Sequence, residues 1–308
     1  MTYEFVAAGT SVLKEDKKKL YLDVGNALHL GVIDHHQLLG EQKSATTLVS
    51  ENSYLIPEET QTIVLHQSPD LDCIASSYLA KYFLTHKKFP SFASGLTLFL
   101  DKSDFGYSLE NRVNLSSLFS IIKSKVRDEE ELVNTGHQLI ENLANYGFDS
   151  EDIPVQYEAE AQMISDDSTV YLEDKKNSFT LECAVYKRAK LKREKVKALV
   201  LDKPKSKLFK AWAREEGFDL LIVKWSKKRT VISLKADSFY TLGGIGDKLN
   251  IKEKIKRQEL NVEIKEENRE GYEIPDPWYD GRAHNFTIID APRRGTSLSF
   301  EEILECLR

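Results

Sequence analysis

Residues 62–86, TIVLHQSPDLDCIASSYLAKYFLTH, contain the change of period on which the fold turns. Thr62 to His66 is a short β-branched and apolar run, the signature of a buried strand. From Leu71 onward the apolar residues recur at helical spacing as far as the lysines at 87 and 88. A strand, a tight polar loop and a helix follow one another, which is the unit from which parallel α/β sheets are built. The polar residues of this unit, His66, Asp70 and Asp72, all fall at the carboxyl end of the strand.

The same grammar extends outward. KLYLDV (19–24), LGVID (30–34) and LTLFLD (96–101) read as further strands, and SATTLVSENSYL (44–55) reads as a helix. Each strand ends in or beside an Asp or a His. In open α/β sheets ligands bind beyond the carboxyl ends of the strands, so four such ends are expected to meet in one crevice. The first domain is therefore expected over 1–107, as a mostly parallel sheet with flanking helices. Residues 108–167 read as an acidic helical linking region. A smaller C-terminal α/β domain is expected over 168–308, with strands at STVYLED (168–174), FTLECAVYK (179–187), KALVLD (197–202), FDLLIVKWS (218–226) and TVISLKAD (230–237), and a helix at SKLFKAWAREEG (206–217). The charged stretch 249–271 reads as a solvated helix or loop, and no internal repeat is visible.

Bulk properties narrow the function. With 41% hydrophobic and 30% charged residues in 308, the chain has the composition of a folded protein with room for two cores. A net charge of −6 argues against a surface coated for long duplex DNA. Three widely separated cysteines offer neither a zinc spacing nor a disulfide framework, and suit a reducing cytoplasm. No apolar run reaches the length of a membrane span, and residues 1–20 lack the layout of a signal peptide.

The strand-end residues form a set: Asp23, then Asp34, His35 and His36, then His66, Asp70 and Asp72, then Asp101. Carboxylates and imidazoles in these numbers can hold two divalent ions around a bridging carboxylate. That donor mixture suits Mn²⁺, with Mg²⁺, Co²⁺ or Fe²⁺ as alternatives. Without a cation, crowded carboxylates would repel and raise one another's pKa. A pair of ions acidifies water and stabilises the charge of an in-line phosphoryl transition state, so the chemistry expected is hydrolysis of a P–O bond.

These segments resemble the DHH phosphoesterase superfamily of RecJ-type exonucleases, oligoribonucleases, cyclic-dinucleotide phosphodiesterases and family II pyrophosphatases. HQSPDLD (66–72) is similar to its first motif, Asp23 to its second, DHHQ (34–37) to its third and LDKSDF (100–105) to its fourth, while SATTLV (44–49) resembles the stretch that follows the third. The motif order is second, third, first, fourth, so the chain looks circularly permuted relative to that family. The resemblance implies that His66 and Asp70 bind one metal, that Asp72, His35 and Asp101 bind the other, and that Asp23 bridges. Asp34 would orient His35, and His36 would face the substrate phosphate. The alternative at this place is that Asp104 is the ligand and Asp101 merely caps a loop; otherwise Asp104 and Ser103 are read as shaping the turn.

In the relatives a C-terminal domain holds the rest of the substrate, through a Ser-containing strand and a Gly-rich loop. Here VISLKADSFYTLGGIGDKLN (231–250) resembles an altered version, with Ser233, Lys235, Gly243 and Gly244 as candidate contacts and Asp247 in place of a histidine. Arg282 and His284, near Trp278 and Tyr279, together with Arg293 and Arg294, are candidates for phosphate and base recognition. Basic clusters at 187–197 and 224–229 could track a short single strand. His29, His86 and His137 have no motif partner. The expectation is a cytoplasmic, Mn²⁺-dependent phosphoesterase without membrane contact. Its substrate would be a short oligonucleotide, a nucleotide phosphate or a cyclic dinucleotide, and a homodimer is compatible. The alternatives are a pyrophosphate or polyphosphate hydrolase, and a nucleotide sensor with reduced catalysis.

Overall fold

A computed structural model describes residues 1–308 except 13, 37–42, 107–108, 151, 189–191, 236–237, 265–271 and 282–285. The chain is mixed α/β and divides into two compact units, Met1–Asp166 and Asp167–Arg308. Among the described residues no helix is long and apolar enough to cross a membrane.

In the first unit five strands form one sheet: β1 (Thr2–Val6), β2 (Lys19–Leu22), β3 (Leu28–His29), β4 (Val32–Ile33) and β5 (Thr62–His66), in the order β1-β5-β2-β4-β3. β1 with β5, β5 with β2 and β2 with β4 pair in parallel, and β3 with β4 is antiparallel. Leu20, Leu22, Val32, Ile33, Ile63, Val64 and Leu65 are all buried, as expected of central strands covered on both faces. Register then fixes the site. Tyr21 pairs with both Val32 and Val64, so two residues further on Asp23, Asp34 and His66 leave the sheet at one level and on one edge.

Helices α1 (Ala45–Glu51), α2 (Leu71–His86), α3 (Ala93–Asp104), α4 (Leu115–Lys125) and α5 (Glu129–Leu143) complete this unit, and α6 (Glu158–Lys176) runs across the boundary. Of the region 108–167 expected to link two domains, all but Asp167 falls in the first unit. Its α5 buries Leu132, Val133, Leu139, Ile140 and Leu143. Gly136 lets α5 approach α2 closely, because a Cβ there would lie 2.6 Å from Ile74 Cγ2.

Two expected strands are helices. In LTLFLD the alternation of Leu96, Leu98 and Leu100 imitates a strand, but Leu98 is 61% exposed while Leu96, Phe99 and Leu100 are buried, which is the stripe of α3. STVYLED lies within α6, where Ile164, Asp167 and Tyr171 are buried at helical spacing while Val170 and Leu172 face out. Conversely, Thr2–Val6, which carries no strand signal as strong as those of β2 and β5, pairs with β5 as β1.

The second unit holds a six-stranded sheet ordered β10-β6-β7-β8-β9-β11. Its strands are β6 (Phe179–Lys187), β7 (Arg193–Asp202), β8 (Leu220–Lys224), β9 (Thr230–Leu234), β10 (Tyr240–Thr241) and β11 (Ile288–Asp290). β7 and β8 run parallel around α7 (Phe209–Glu215), and the remaining pairings are antiparallel. One core gathers Trp278 and residues of α8 (Ile245–Glu259) and α9 (Phe300–Leu307); the other gathers Tyr171, Phe209 and Trp212. The charged stretch from 249 is helical as far as Glu259, and its residues 265–271 lie outside the described residues.

Candidate metal centre

Asp23 follows β2 in the left-handed region (φ 56°), an uncommon place for a residue other than glycine. Its carboxylate is buried, and Oδ1 has no hydrogen-bond partner. His35 Nε2 stands 3.2 Å from Oδ1, while His66 Nε2 stands 3.5 Å from Oδ2. One oxygen thus faces each histidine. Two ligands about 2.1 Å from a common ion and roughly at right angles or wider are separated by about 3.0–3.4 Å, so donors spaced in this way could share a cation. An orphaned, buried carboxylate oxygen is costly unless something positive meets it.

Both imidazoles are set for coordination by their other nitrogen. His35 Nδ1–H donates to the Lys43 carbonyl (3.0 Å), and His66 Nδ1–H donates to the Gln67 carbonyl (2.9 Å). Each therefore turns the lone pair of Nε2 toward the carboxylates. His66 Nε2 also lies 3.7 Å from Asp70 Oδ2, and His35 Nε2 lies 4.0 Å from Asp72 Oδ2. Asp70 caps α2 by accepting from Cys73 N (3.0 Å).

The stretch Ser44–Thr47 sorts the remaining carboxylates. Asp72 accepts from Ala45 N (2.6 Å), Thr46 N (2.9 Å) and Thr46 Oγ1 (2.6 Å). Asp101 Oδ1 accepts from Ser44 N, Ser44 Oγ and Thr47 Oγ1, each at 2.8 Å. Asp101, expected as a metal ligand, fastens the start of α1 through Oδ1, as Asp72 does through both of its oxygens. One helical turn later Asp104 Oδ2 lies 3.9 Å from His35 Nδ1, and it groups with His35 and Asp72 as a potential ligand set. LTLFLD is helical, so Asp101 and Asp104 both lie on α3, one turn apart.

A second correction concerns Asp34. Its Oδ1 accepts from His36 Nδ1 (2.5 Å) and His36 N (3.0 Å), and its Oδ2 accepts from Asn26 N (2.7 Å). Asp34 orients His36, and the Lys43 carbonyl orients His35. His36, with its side chain 32% exposed, is the open member of the pair.

The charges confirm the crowding of acids. Burial, reinforced by Asp23 and Asp104, holds the Asp72 carboxyl well above its ordinary range. Desolvation together with Asp70 and Asp23 pushes Asp104 up to about 6, against the pull of His35. Burial alone would lower His35, but the Asp23 carboxylate facing it and the charges of Asp104 and Asp72 raise it well above the usual imidazole value.

Sequence reasoning passed over Cys73. It is buried with Asp23 and His66 in a further potential ligand group, and burial pushes its thiol up to about 12. Its place directly after Asp72 was the available signal. Beside the carboxylates a cavity of about 240 Å³ is lined by Asp70, Asp72, Ser103, Asp104, Ser120 and Lys123, among others.

The expected substrate contacts belong to the second unit. Ser233 is buried in β9 and accepts from Arg214 Nη2 (3.1 Å), and the backbone N–H of Lys235 donates to the Asp219 carbonyl (2.8 Å). Gly243 and Gly244 lead into α8, where Gly244 (φ 78°) is the N-cap residue. Arg293 N and Arg294 N donate to Asp276 (2.7 and 3.0 Å). Arg282 and His284 lie outside the described residues. Trp278, expected to offer a stacking face, is fully buried and donates from Nε1 to Glu253 (3.1 Å), so it is a core residue. In the basic clusters Lys187, Lys195, Lys224 and Arg229 pair with Glu194, Glu182, Asp202 and Asp290.

No protein-family model matches the chain, and neither does any curated protein or any solved structure.

Proposed function

We propose that the chain is a divalent-metal-dependent phosphoesterase of the kind the DHH resemblance implies, acting on a P–O bond of a small phosphorylated substrate. The observation that carries this reading is the buried, partnerless Asp23 Oδ1 with histidines from two other strand ends facing its two oxygens. His66, Asp70 and Asp23 would hold one cation, and Asp23, His35, Asp72 and Asp104 the other, with Mn²⁺ the ion best suited to these donors. Bound cations supply positive charge for the phosphoryl transition state and make water acidic enough to serve as nucleophile. Asp34 accepts from His36 Nδ1 and, against the effect of burial, raises the pKa of the ring, which favours an N–H able to donate to a phosphoryl oxygen.

The substrate class follows from the same reading: a short oligonucleotide, a nucleotide phosphate or a cyclic dinucleotide. The buried Trp278 gives a specific reason to keep pyrophosphate and polyphosphate beside them, since that ring cannot stack on a base. Three free, buried cysteines accord with a reducing, cytoplasmic setting. The test is hydrolysis of bis-p-nitrophenyl phosphate and pyrophosphate with and without Mn²⁺. Turnover that requires Mn²⁺ supports the proposal, and inactivity with every divalent ion tried refutes it in favour of a sensor with reduced catalysis.

A further inference from the structure

We infer that Lys123 and Glu129 are positioning residues for the loop 66–70, setting the spacing of His66 and Asp70 on which metal affinity at that side of the centre depends. The inference rests on the metal reading above and extends it to residues outside any motif. The loop carries two donors, His66 Nε2 and Asp70 Oδ2, 3.7 Å apart, with Gln67, Ser68 and Pro69 between them. Ser68 takes a left-handed conformation (φ 53°), which a serine adopts only when its surroundings impose it.

What imposes it is a clamp of opposite charges. Glu129 Oε1 accepts from Ser68 N (2.6 Å), while Lys123 Nζ donates to the Ser68 carbonyl and to the Pro69 carbonyl, each at 2.9 Å. Lys123 belongs to the last turn of α4 and Glu129 is the first residue of α5. Both therefore come from the helical segment after the metal-binding elements. An ammonium group has three N–H donors, and two of them are committed to this loop. Removing a group that orients a metal ligand typically weakens metal affinity by about 10–100-fold.

Electrostatics alone points the other way for Lys123: deleting a positive charge beside a cation site should tighten binding. The sign of the effect therefore separates positioning from charge. The experiment is a titration of the purified full chain with Mn²⁺, followed by the electron paramagnetic resonance signal of the free ion. Lys123→Met is expected to weaken one of two sites by about 10–100-fold with the circular dichroism spectrum unchanged, and Lys123→Arg to recover much of the loss. Glu129→Ala is expected to weaken the same site, and Glu129→Gln, which keeps an acceptor for Ser68 N, to restore it. Should Lys123→Met fail to fold, the Glu129 pair decides the matter. Wild-type or tighter Mn²⁺ binding by Lys123→Met, or equal losses in Glu129→Ala and Glu129→Gln, overturns the inference. A wild-type chain that binds no Mn²⁺ overturns the metal reading and this inference with it.

Discussion

Replacing Asp101 and Asp104 separately by alanine should have opposite consequences, although the two are only one helical turn apart. Asp101 Oδ1 accepts three hydrogen bonds at 2.8 Å from Ser44 and Thr47, and Ser44 is fully buried. Hydrogen bonds to a charged acceptor contribute about 1.5–3 kcal/mol each, but three sharing one oxygen do not add. A loss of about 3 kcal/mol for Asp101→Ala is a fair expectation, equivalent to a fall in Tm of about 6–12 °C for a unit of this size. Desolvation, with the nearby Asp70 and Asp23 charges, pushes Asp104 up to about 6. Asp104→Ala should therefore change stability by less than about 0.5 kcal/mol, in line with substitutions away from packed or bonded sites, or raise it by relieving repulsion. It should weaken Mn²⁺ binding sharply. Thermal unfolding followed by far-UV circular dichroism, with Mn²⁺ titrations alongside, reads both effects. Metal affinity lost in Asp101→Ala at unchanged stability, with Asp104→Ala binding normally, would refute the assignment.

Three further outcomes are expected. His137 is buried on α5 against Ser77 and Tyr78, and burial with the Lys81 charge lowers its pKa to about 3. A depressed histidine favours its neutral form in the folded state, so its contribution is complete above about pH 6.5 and is lost as pH falls toward 3. By pH 4.5 the loss should reach about 3 kcal/mol, and urea unfolding of His137→Gln should have a pH 7 to pH 4.5 difference smaller by that amount; an unchanged difference would exclude His137 as its source. Gly136→Ala sets helix propensity, worth about 1 kcal/mol in alanine's favour, against a Cβ 2.6 Å from Ile74 Cγ2. The clash should win by about 1–3 kcal/mol, and a rise in Tm would show that α2 and α5 have slack. Saturating Mn²⁺ at about 100 times its dissociation constant should stabilise the wild type by about 2.7 kcal/mol; Asp23→Asn should abolish the increase in Tm, and its persistence would place the ion elsewhere.

The sheet that positions the centre was legible because β2, β4 and β5 are continuous apolar runs that stop at an Asp or a His, and α2 follows β5 without ambiguity. Edges and helices with alternating leucines were not. Thr2–Val6 alternates polar and apolar residues at the margin of the sheet, and Leu96, Leu98 and Leu100 mimic a strand until burial separates Leu98 from its neighbours. That local misreading bears on the site, since a strand end singles out Asp101 whereas α3 carries Asp101 and Asp104 one turn apart. The motif at Ser44–Thr47 was visible as a pattern, but its task of gripping Asp72 and Asp101 is a contact across more than 25 positions and has no local signature. Trp278 looked like a recognition residue because polar residues surround it in sequence, yet Glu253, 25 positions earlier, satisfies its N–H in the core.

Diffraction from crystals soaked in Mn²⁺, collected at the manganese absorption edge, tests the central claim most directly. Two anomalous peaks are expected, with Asp23 between them, His66 and Asp70 on one, and His35, Asp72 and Asp104 on the other. Fully occupied crystals with no peak within coordinating distance of Asp23 would contradict the account.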